Sequence, residues 1–482
     1  MSEYPGENFD NRWREALHPS NRINPVPKAQ YHLVVIGAGP AGLISAIAGA
    51  GLGAKVALVE RHLMGGDCLN VGCVPSKALL EFTQHNPGAT FDQAFAWMRE
   101  VRATIAPNDS VQRYTEAGVD VFLGSATFED AQTVRVGDLR LKGRRIAICT
   151  GASPAIPAIP GLREADPMTN ETLFDLRMRP PRLAILGAGA IGCEMAQVFA
   201  RLGTEVHLFE MAPRVLPLES EAGSTALDKA MRELGVHLHL GKAVSKVVND
   251  NVLTVQAGSE SVAVDDILVA LGRRPNTAEL GLERAGVGVD AQGFIVVDDR
   301  LRTRNRRIYA AGDCASRIQF THHADAQAKV LVQNALFAPT AKMKPAAVPH
   351  CTYTQPEVAS VGETEDSLKR AGVAYQRLEV DFGELDRGHA EPFPSGFAEV
   401  LVKSGSDQIL GATIVGPDAG EQLMPVCLLM SNGLGLKAVD RTIVAYPTRA
   451  EYLKRISGQW RRTQLTPTVS SLFKRWFAFT DG

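Results

Sequence analysis

Residues 32–60, HLVVIGAGPAGLISAIAGAGLGAKVALVE, read as strand, glycine turn, small-residue helix and strand. Gly37, Gly39 and Gly42 have G-x-G-x-x-G spacing, and Glu60 closes the second strand. The first glycine permits a tight turn. The second lets a pyrophosphate approach the backbone at the helix N-terminus, the third lets helix and strand pack closely, and the acid accepts hydrogen bonds from a ribose. One such spacing is a weak signal, because glycine turns before helices often serve structure alone. Here residues 183–210, LAILGAGAIGCEMAQVFARLGTEVHLFE, repeat the unit with Gly187, Gly189, Gly192 and Glu210. Each first glycine precedes its acid by 23 residues, so the second unit is the first displaced by 150 positions. Two dinucleotide sites are expected.

Each unit closes on a further strand and glycine turn, RIAICTGASPAIP (145–157, with Gly151) and DDILVALGRRPNT (265–277, with Gly272). Residues 81–145 read as a helix followed by short strands. RIYAAGDCA (307–315) reads as a strand ending in Gly312 and Asp313, with an alanine-rich helix to about Phe337. APTAKMKPAAVP (338–349) reads as a linker. Beyond it, FAEVLVK (397–403) and QILGATIVG (408–416) alternate as strands before helices take over, the pattern of a third domain of α+β type. The expected boundaries are a polar extension at 1–30, one nucleotide domain at 31–155 with 276–345, a second at 156–275, and a last domain at 346–482.

A chain of 482 residues supports two to four domains. Its 45% apolar and 22% charged residues are ordinary for a globular protein, and 51 basic against 53 acidic residues do not suggest nucleic-acid binding. The polar, proline-broken N-terminus does not resemble a secretory signal, and no segment has the length and apolarity of a membrane span. Seven cysteines at irregular spacing argue against an oxidised framework and for a cytoplasmic location.

Two of those cysteines, Cys68 and Cys73, lie in GGDCLNVGCVPSK (65–77). A structural disulfide, half a metal site, two unrelated thiols and a redox pair are all conceivable for such a spacing. Residues five apart on a regular helix are roughly 8.7 Å apart at Cα, whereas a disulfide wants about 7 Å or less. A bridge therefore needs a distorted turn, which Asn70 and Gly72 can supply. Strained or exposed bridges are the labile ones, and a helix N-terminus lowers a thiol pKa. No second pair stands at zinc-ligand spacing, so no metal site is expected. Two nucleotide sites beside a close dithiol suggest electrons passing from one nucleotide to the other and on to sulfur.

GGDCLNVGCVPSK, the paired fingerprints, AAGDC and YPTRAE (446–451) together resemble the flavoprotein disulfide reductases, the class I pyridine nucleotide-disulfide oxidoreductases. These include dihydrolipoamide dehydrogenase, glutathione reductase and mercuric reductase. The resemblance spans roughly residues 31–455, and its C-x4-C motif followed by P-S-K is highly specific. It implies an α/β fold with two Rossmann-like dinucleotide-binding domains, for FAD and NAD(P), and a C-terminal α+β dimerisation domain of a homodimer. It further implies that Gly37, Gly39, Gly42 and Glu60 hold the adenosine half of FAD, with Gly66, Asp67, Gly151, Gly312 and Asp313 completing the flavin site. Gly187, Gly189, Gly192, Glu210 and Gly272 are implied to hold NAD(P)H. Cys73 is then the thiol facing the flavin and Cys68 the interchange thiol that attacks the acceptor. Lys77 is placed near the flavin ring, paired with Glu194, where a positive charge favours the reduced, anionic flavin. Glu210 favours NADH, since a carboxylate repels a 2′-phosphate, although Arg214 nearby leaves NADPH possible.

The chain departs from this pattern at its C-terminal end. Members acting on organic disulfides have His-Pro, with a glutamate five residues later holding the histidine; here Tyr446 precedes Pro447 and Glu451. Tyrosine titrates about 3.5 units above histidine, roughly 5 kcal/mol less ready to exchange protons at neutral pH. Tyrosine at this position resembles mercuric reductases, whose acceptor is a metal ion, but their C-terminal cysteine pair has no counterpart after Cys427. The expected function is thus FAD-dependent transfer from NAD(P)H through Cys68 and Cys73 to a small thiophilic acceptor: a metal ion, a persulfide or an unusual disulfide. Dihydrolipoamide dehydrogenase and a flavin redox sensor are the alternatives. Cys149, Cys193 and Cys314 read as packed neutral thiols, and His350 and Cys351 as strand-edge residues. The basic, aromatic tail LTPTVSSLFKRWFAF (465–479) shares its composition with membrane-surface helices, and packing on the dimer is its expected role.

Overall fold

The computed structural model describes residues 4–343, 347–391 and 396–480. Residues 344–346 of the expected linker lie outside them. The chain forms two compact units: Met1–Gly187 with Met195–Met211 and Gly235–Pro345, and Ala188–Glu194 with Ala212–Leu234 and Ala346–Gly482.

The first unit opens with a helix, α1 (Glu7–Leu17), where the sequence reads only as a polar lead-in. The first glycine unit follows as β1 (Tyr31–Ile36), α2 (Pro40–Gly51) and β2 (Val56–Glu60). Leu33, Val34 and Val35 on β1 are fully buried, so this strand packs on both faces as a central parallel strand must. Two short helices come next, α3 (Gly66–Asn70) and α4 (Cys73–His85), then α5 (Phe91–Ile105). The stretch from 81 therefore carries more helix than the sequence suggests, with Thr90 and Gln93 forming a reciprocal cap that starts α5.

Strands β3 (Val119–Leu123), β4 (Ala126–Phe128), β5 (Thr133–Val136) and β6 (Leu139–Ile148) complete a seven-stranded sheet of order β3-β2-β1-β6-β5-β4, with Ile308–Ala310 paired to β6. The strands around β1 are parallel, with Val34 opposite both Ala57 and Ile146. A second parallel sheet of four strands runs His237–Leu240, Glu205–Glu210, Arg182–Leu186, Asp266–Val269. Both glycine units thus fold as parallel strand-helix-strand elements.

The second unit is built on a five-stranded antiparallel sheet. Phe397–Lys403 and Ile409–Gly416 pair at its interior, and His350–Thr352 forms one edge, where His350 and Cys351 were expected. Helix Glu451–Thr463 packs Tyr452, Ile456 and Trp460 into the same core.

Candidate active site

The dithiol sits at a break between two helices. α3 ends at Asn70 and α4 begins at Cys73, and between them Gly72 adopts φ −137° and ψ −111°. A Cβ at Gly72 would lie 2.9 Å from the Asp67 carbonyl oxygen, so glycine is what lets the turn close this tightly. The irregular turn brings Cys68 and Cys73 within hydrogen-bonding reach, both as free thiols. The hydrogen bond with Cys73 and then burial push the Cys68 thiol far above its ordinary value. Cys68 therefore keeps its proton at neutral pH. Cys73 is the first residue of α4, and its Sγ lies 3.6 Å from Oγ1 of Thr321, the first residue of the helix Thr321–Leu336. Two helix N-termini thus meet at Cys73, an environment that favours a thiolate.

The first fingerprint packs its glycines against bare backbone. Gly37 has φ +100°, and a Cβ there would meet the Cys149 carbonyl oxygen at 2.3 Å. At Gly42 a Cβ would lie 1.8 Å from the Gly37 carbonyl oxygen, and at Gly66 one would lie 2.5 Å from Gly39 Cα. Gly39 and Gly66 hence leave bare backbone facing bare backbone at the start of α2. The Glu60 carboxylate accepts from the Ala38 and His62 amides, both at 2.8 Å, which fixes it at a cavity of about 440 Å³ lined also by Gly37, Ser125, Thr150 and Asn276. Farther along, Arg273 contacts Asp67 and the Ala152 carbonyl and lies 3.8 Å from Asp313. Burial raises the Asp313 carboxyl against the pull of Arg273, and burial lowers Arg273. Nε of Arg273 is buried without a hydrogen-bond acceptor among the described residues, which a polyhydroxylated or anionic group would supply. Gly151 (φ +67°) and Gly312 (φ +79°) turn the chain nearby in sequence, the Gly312 amide donating to Gln327 at 2.6 Å. These residues fit FAD: a glycine cradle at a helix start, a ribose-type carboxylate and an unmatched buried donor.

In the second unit of the repeat, Gly187 has φ +104° and a Cβ there would meet the Ala270 carbonyl at 2.5 Å, while Gly189 is open. Gly192 lies within the helix Ala190–Arg201, Glu210 ends its strand, and Gly272 has φ +100°. Glu194 is buried on that helix and accepts from the Tyr353 amide at 3.0 Å. Lys77 lies on α4, one turn after Cys73. Arg214 donates to the carbonyls of Pro217 and Glu219 and to Asp366 at 3.1 Å.

Tyr446 is 69% exposed and donates from Oη to Asp386 Oδ2 at 2.6 Å. That bond, with the Asp386 charge, raises the Tyr446 pKa. Glu451, the expected partner by spacing, is instead 3.7 Å from Arg455. Asp386 escaped sequence reading because it lies 60 positions away in a segment with no motif. Arg273 and Thr321 escaped for a similar reason, although each adjoins a motif, GRRPN and AAGDC. Cys149, Cys193 and Cys314 are buried as expected, burial pushing Cys314 up to about 11. Glu205, His207 and His237 also approach one another, but the histidine rings stack at 4.7 Å and His207 bonds to Glu205 and His239. Stacking and hydrogen bonding account for that cluster.

Residues 31–328 match the pyridine nucleotide-disulphide oxidoreductase family and residues 348–456 its dimerisation domain. A mercuric reductase of Staphylococcus aureus is 33% identical over 470 residues, covering 93% of this chain and 85% of that protein. A dihydrolipoyl dehydrogenase of Chlamydia muridarum is 34% identical, covering 87% and 95%. Among solved structures, the HOCl-induced flavoprotein disulfide reductase RclA of Escherichia coli, in its Cu(II) complex, superposes with a TM-score of 0.82 at 30% identity, covering 88% and 98%. The chain belongs to the pyridine nucleotide-disulphide oxidoreductase family. It is an NAD(P)H-dependent flavoprotein disulfide oxidoreductase whose cofactors are FAD and NAD(P)H. No helix among the described residues is long and apolar enough to cross a membrane.

Proposed function

We propose that this enzyme takes electrons from NADH and delivers them through Cys68 and Cys73 to a small thiophilic acceptor, a metal ion in preference to an organic disulfide. The observation that carries this reading is the tie between Tyr446 and Asp386. Reducing a disulfide RSSR at Cys68 expels one thiolate on attack and a second when Cys73 displaces the mixed disulfide. Both must leave as thiols, so the site needs a proton donor poised near neutral pH. Tyr446, raised further by Asp386, is a poor one. A thiophilic ion held by sulfur has no leaving thiol to protonate. In support, one relative is named a mercuric reductase and one solved relative was obtained with Cu(II).

FAD, when bound, supplies hydride acceptance from the nicotinamide and two-electron reduction of the disulfide. In this reading Gly37, Gly39, Gly42 and Glu60 hold its adenosine half, and Gly66, Asp67, Gly151, Gly312 and Asp313 the remainder. Gly187, Gly189, Gly192, Glu210 and Gly272 hold the nicotinamide nucleotide. Arg214 spends its guanidinium on carbonyls and Asp366, which favours NADH over NADPH at Glu210. In this reading Lys77 places positive charge near the flavin. The FAD domain runs over 31–155 and 276–345, the nucleotide domain over 156–275, and residues 346–482 pair two chains into a homodimer in the cytoplasm.

An NADH-oxidation screen across Cu(II), Hg(II), polysulfide, glutathione disulfide and lipoamide tests the proposal. It predicts fastest turnover with a metal ion, abolished in Cys73→Ala. Fastest turnover with lipoamide would instead establish the second reading, dihydrolipoamide dehydrogenase, which the 34% identical relative of that name favours.

A further inference from the structure

We propose that the amino-terminal helix α1 is a positioning element of the dithiol site, with Trp13 fixing the loop between Cys68 and Cys73 through Asn70. The inference rests on reading those cysteines as the redox pair. It concerns a segment that precedes the family match at residue 31.

Trp13 is 4% exposed and donates from Nε1 to Asn70 Oδ1 at 2.8 Å. Asn70 is itself buried, and its Nδ2 donates to the Met64 carbonyl at 3.0 Å. The backbone carbonyl of the same residue accepts from Arg102 Nη1 at 3.1 Å, and that of Val71 accepts from Asn170 Nδ2 at 3.1 Å. The short stretch separating the two sulfurs is therefore held by α1, α5 and Asn170 at once.

Behind this contact lies a buried ionic cluster centred on α1. Asp10 is 1% exposed and accepts from Arg102 at 2.7 Å and from the Tyr4 hydroxyl at 2.6 Å, with Arg99 at 3.3 Å. The Arg102 guanidinium stacks 3.7 Å from the Trp13 ring. One arginine thus joins the α1 carboxylate, the α1 indole and the redox loop. A buried charge without its partner is costly, so the cluster locks α1 in place rather than merely decorating it.

The physical need for such a lock follows from the turn itself. A regular helix would hold the cysteines too far apart to bridge, and the break at Val71 and Gly72 that brings them together must be kept from relaxing. Holding Asn70 raises the effective concentration of one sulfur at the other. Disulfide closure is 2 RSH → RS–SR + 2 H⁺ + 2 e⁻. With glutathione disulfide as oxidant, the electrons and protons leave in two molecules of glutathione.

The test equilibrates purified holoenzyme with glutathione redox buffers and counts trapped Cys68 and Cys73 thiols by mass spectrometry. Trp13→Phe keeps an aromatic ring for Arg102 but loses the N–H. Loss of one buried hydrogen bond should lower the closure equilibrium constant about five-fold, with FAD content and melting temperature near wild type. Arg12→Ala, on the exposed face of α1, should leave it unchanged. If Trp13→Phe does not fold, Asp10→Asn releases Arg102 from the other side of Asn70 and should lower the constant likewise. A constant unchanged or raised in the folded variant overturns the proposal. If wild-type Cys68 and Cys73 never form a glutathione-dependent disulfide, it is the redox-pair reading that fails.

Discussion

Cys68 and Cys73 flank a stretch held at Asn70 and Val71 by buried groups from three other segments, whereas Tyr446 is 69% exposed and its hydroxyl is bound to Asp386. In the proposed function the first region performs chemistry that depends on a sulfur-to-sulfur separation, which gives a reason for its several holds. In the same proposal the second meets the acceptor, and one side chain there decides which proton transfers are possible. On that reading electron delivery is rigidly built while acceptor choice can change at little structural cost.

The strongest way to break this contrast is to remove a sulfur. Cys73→Ala should reduce NADH-driven turnover with every acceptor by on the order of 10³-fold or more while retaining FAD. Residual turnover near wild type would mean that electrons bypass the dithiol. Next in size, Tyr446→His should raise lipoamide or glutathione disulfide reduction by about 10²-fold, the low end of general acid-base contributions. No gain would show that Tyr446 is not what limits disulfide acceptors. Glu210→Ala should lower kcat/KM for NADH about tenfold, the loss of one charged hydrogen-bond partner, and raise it for NADPH by removing the carboxylate that repels the 2′-phosphate. Equal losses for both nucleotides would contradict its assigned role.

The smallest effect concerns stability in the second unit. Burial opposes the charged form of His350, but its 2.6 Å contact with Glu219 outweighs this and the pKa is raised. The pair's contribution is fully present below about 6.5, the ordinary histidine value, and is lost as pH rises through the raised value. Glu219→Gln should flatten that pH dependence in urea unfolding; an unchanged slope would remove the pair from the stability of this unit.

The nucleotide folds were legible because glycine there is enforced by backbone contact: a Cβ at Gly42 or Gly37 has no room. Nothing comparable announces α1. Phe9, Trp13 and Leu17 do recur at helical spacing, yet among prolines and charges they read as a lead-in. What buries that helix is a carboxylate meeting Arg99 and Arg102, some 90 residues away in sequence, and long-range ion pairs leave no local pattern. The same holds for Asp386 and Tyr446: spacing pointed to Glu451, and a distant segment supplied the partner. The tail helix Pro467–Thr480 buries none of its residues, with Trp476 and Phe477 near 60% exposed.

The central claim is that Cys68 and Cys73 carry the electrons. Anaerobic titration of the holoenzyme with NADH addresses it most directly. The wild type should accept one two-electron equivalent more per FAD than Cys73→Ala, and a long-wavelength absorbance band from a thiolate against the flavin should appear in the wild type alone. Identical electron uptake in the two proteins, with no such band in either, would contradict the account.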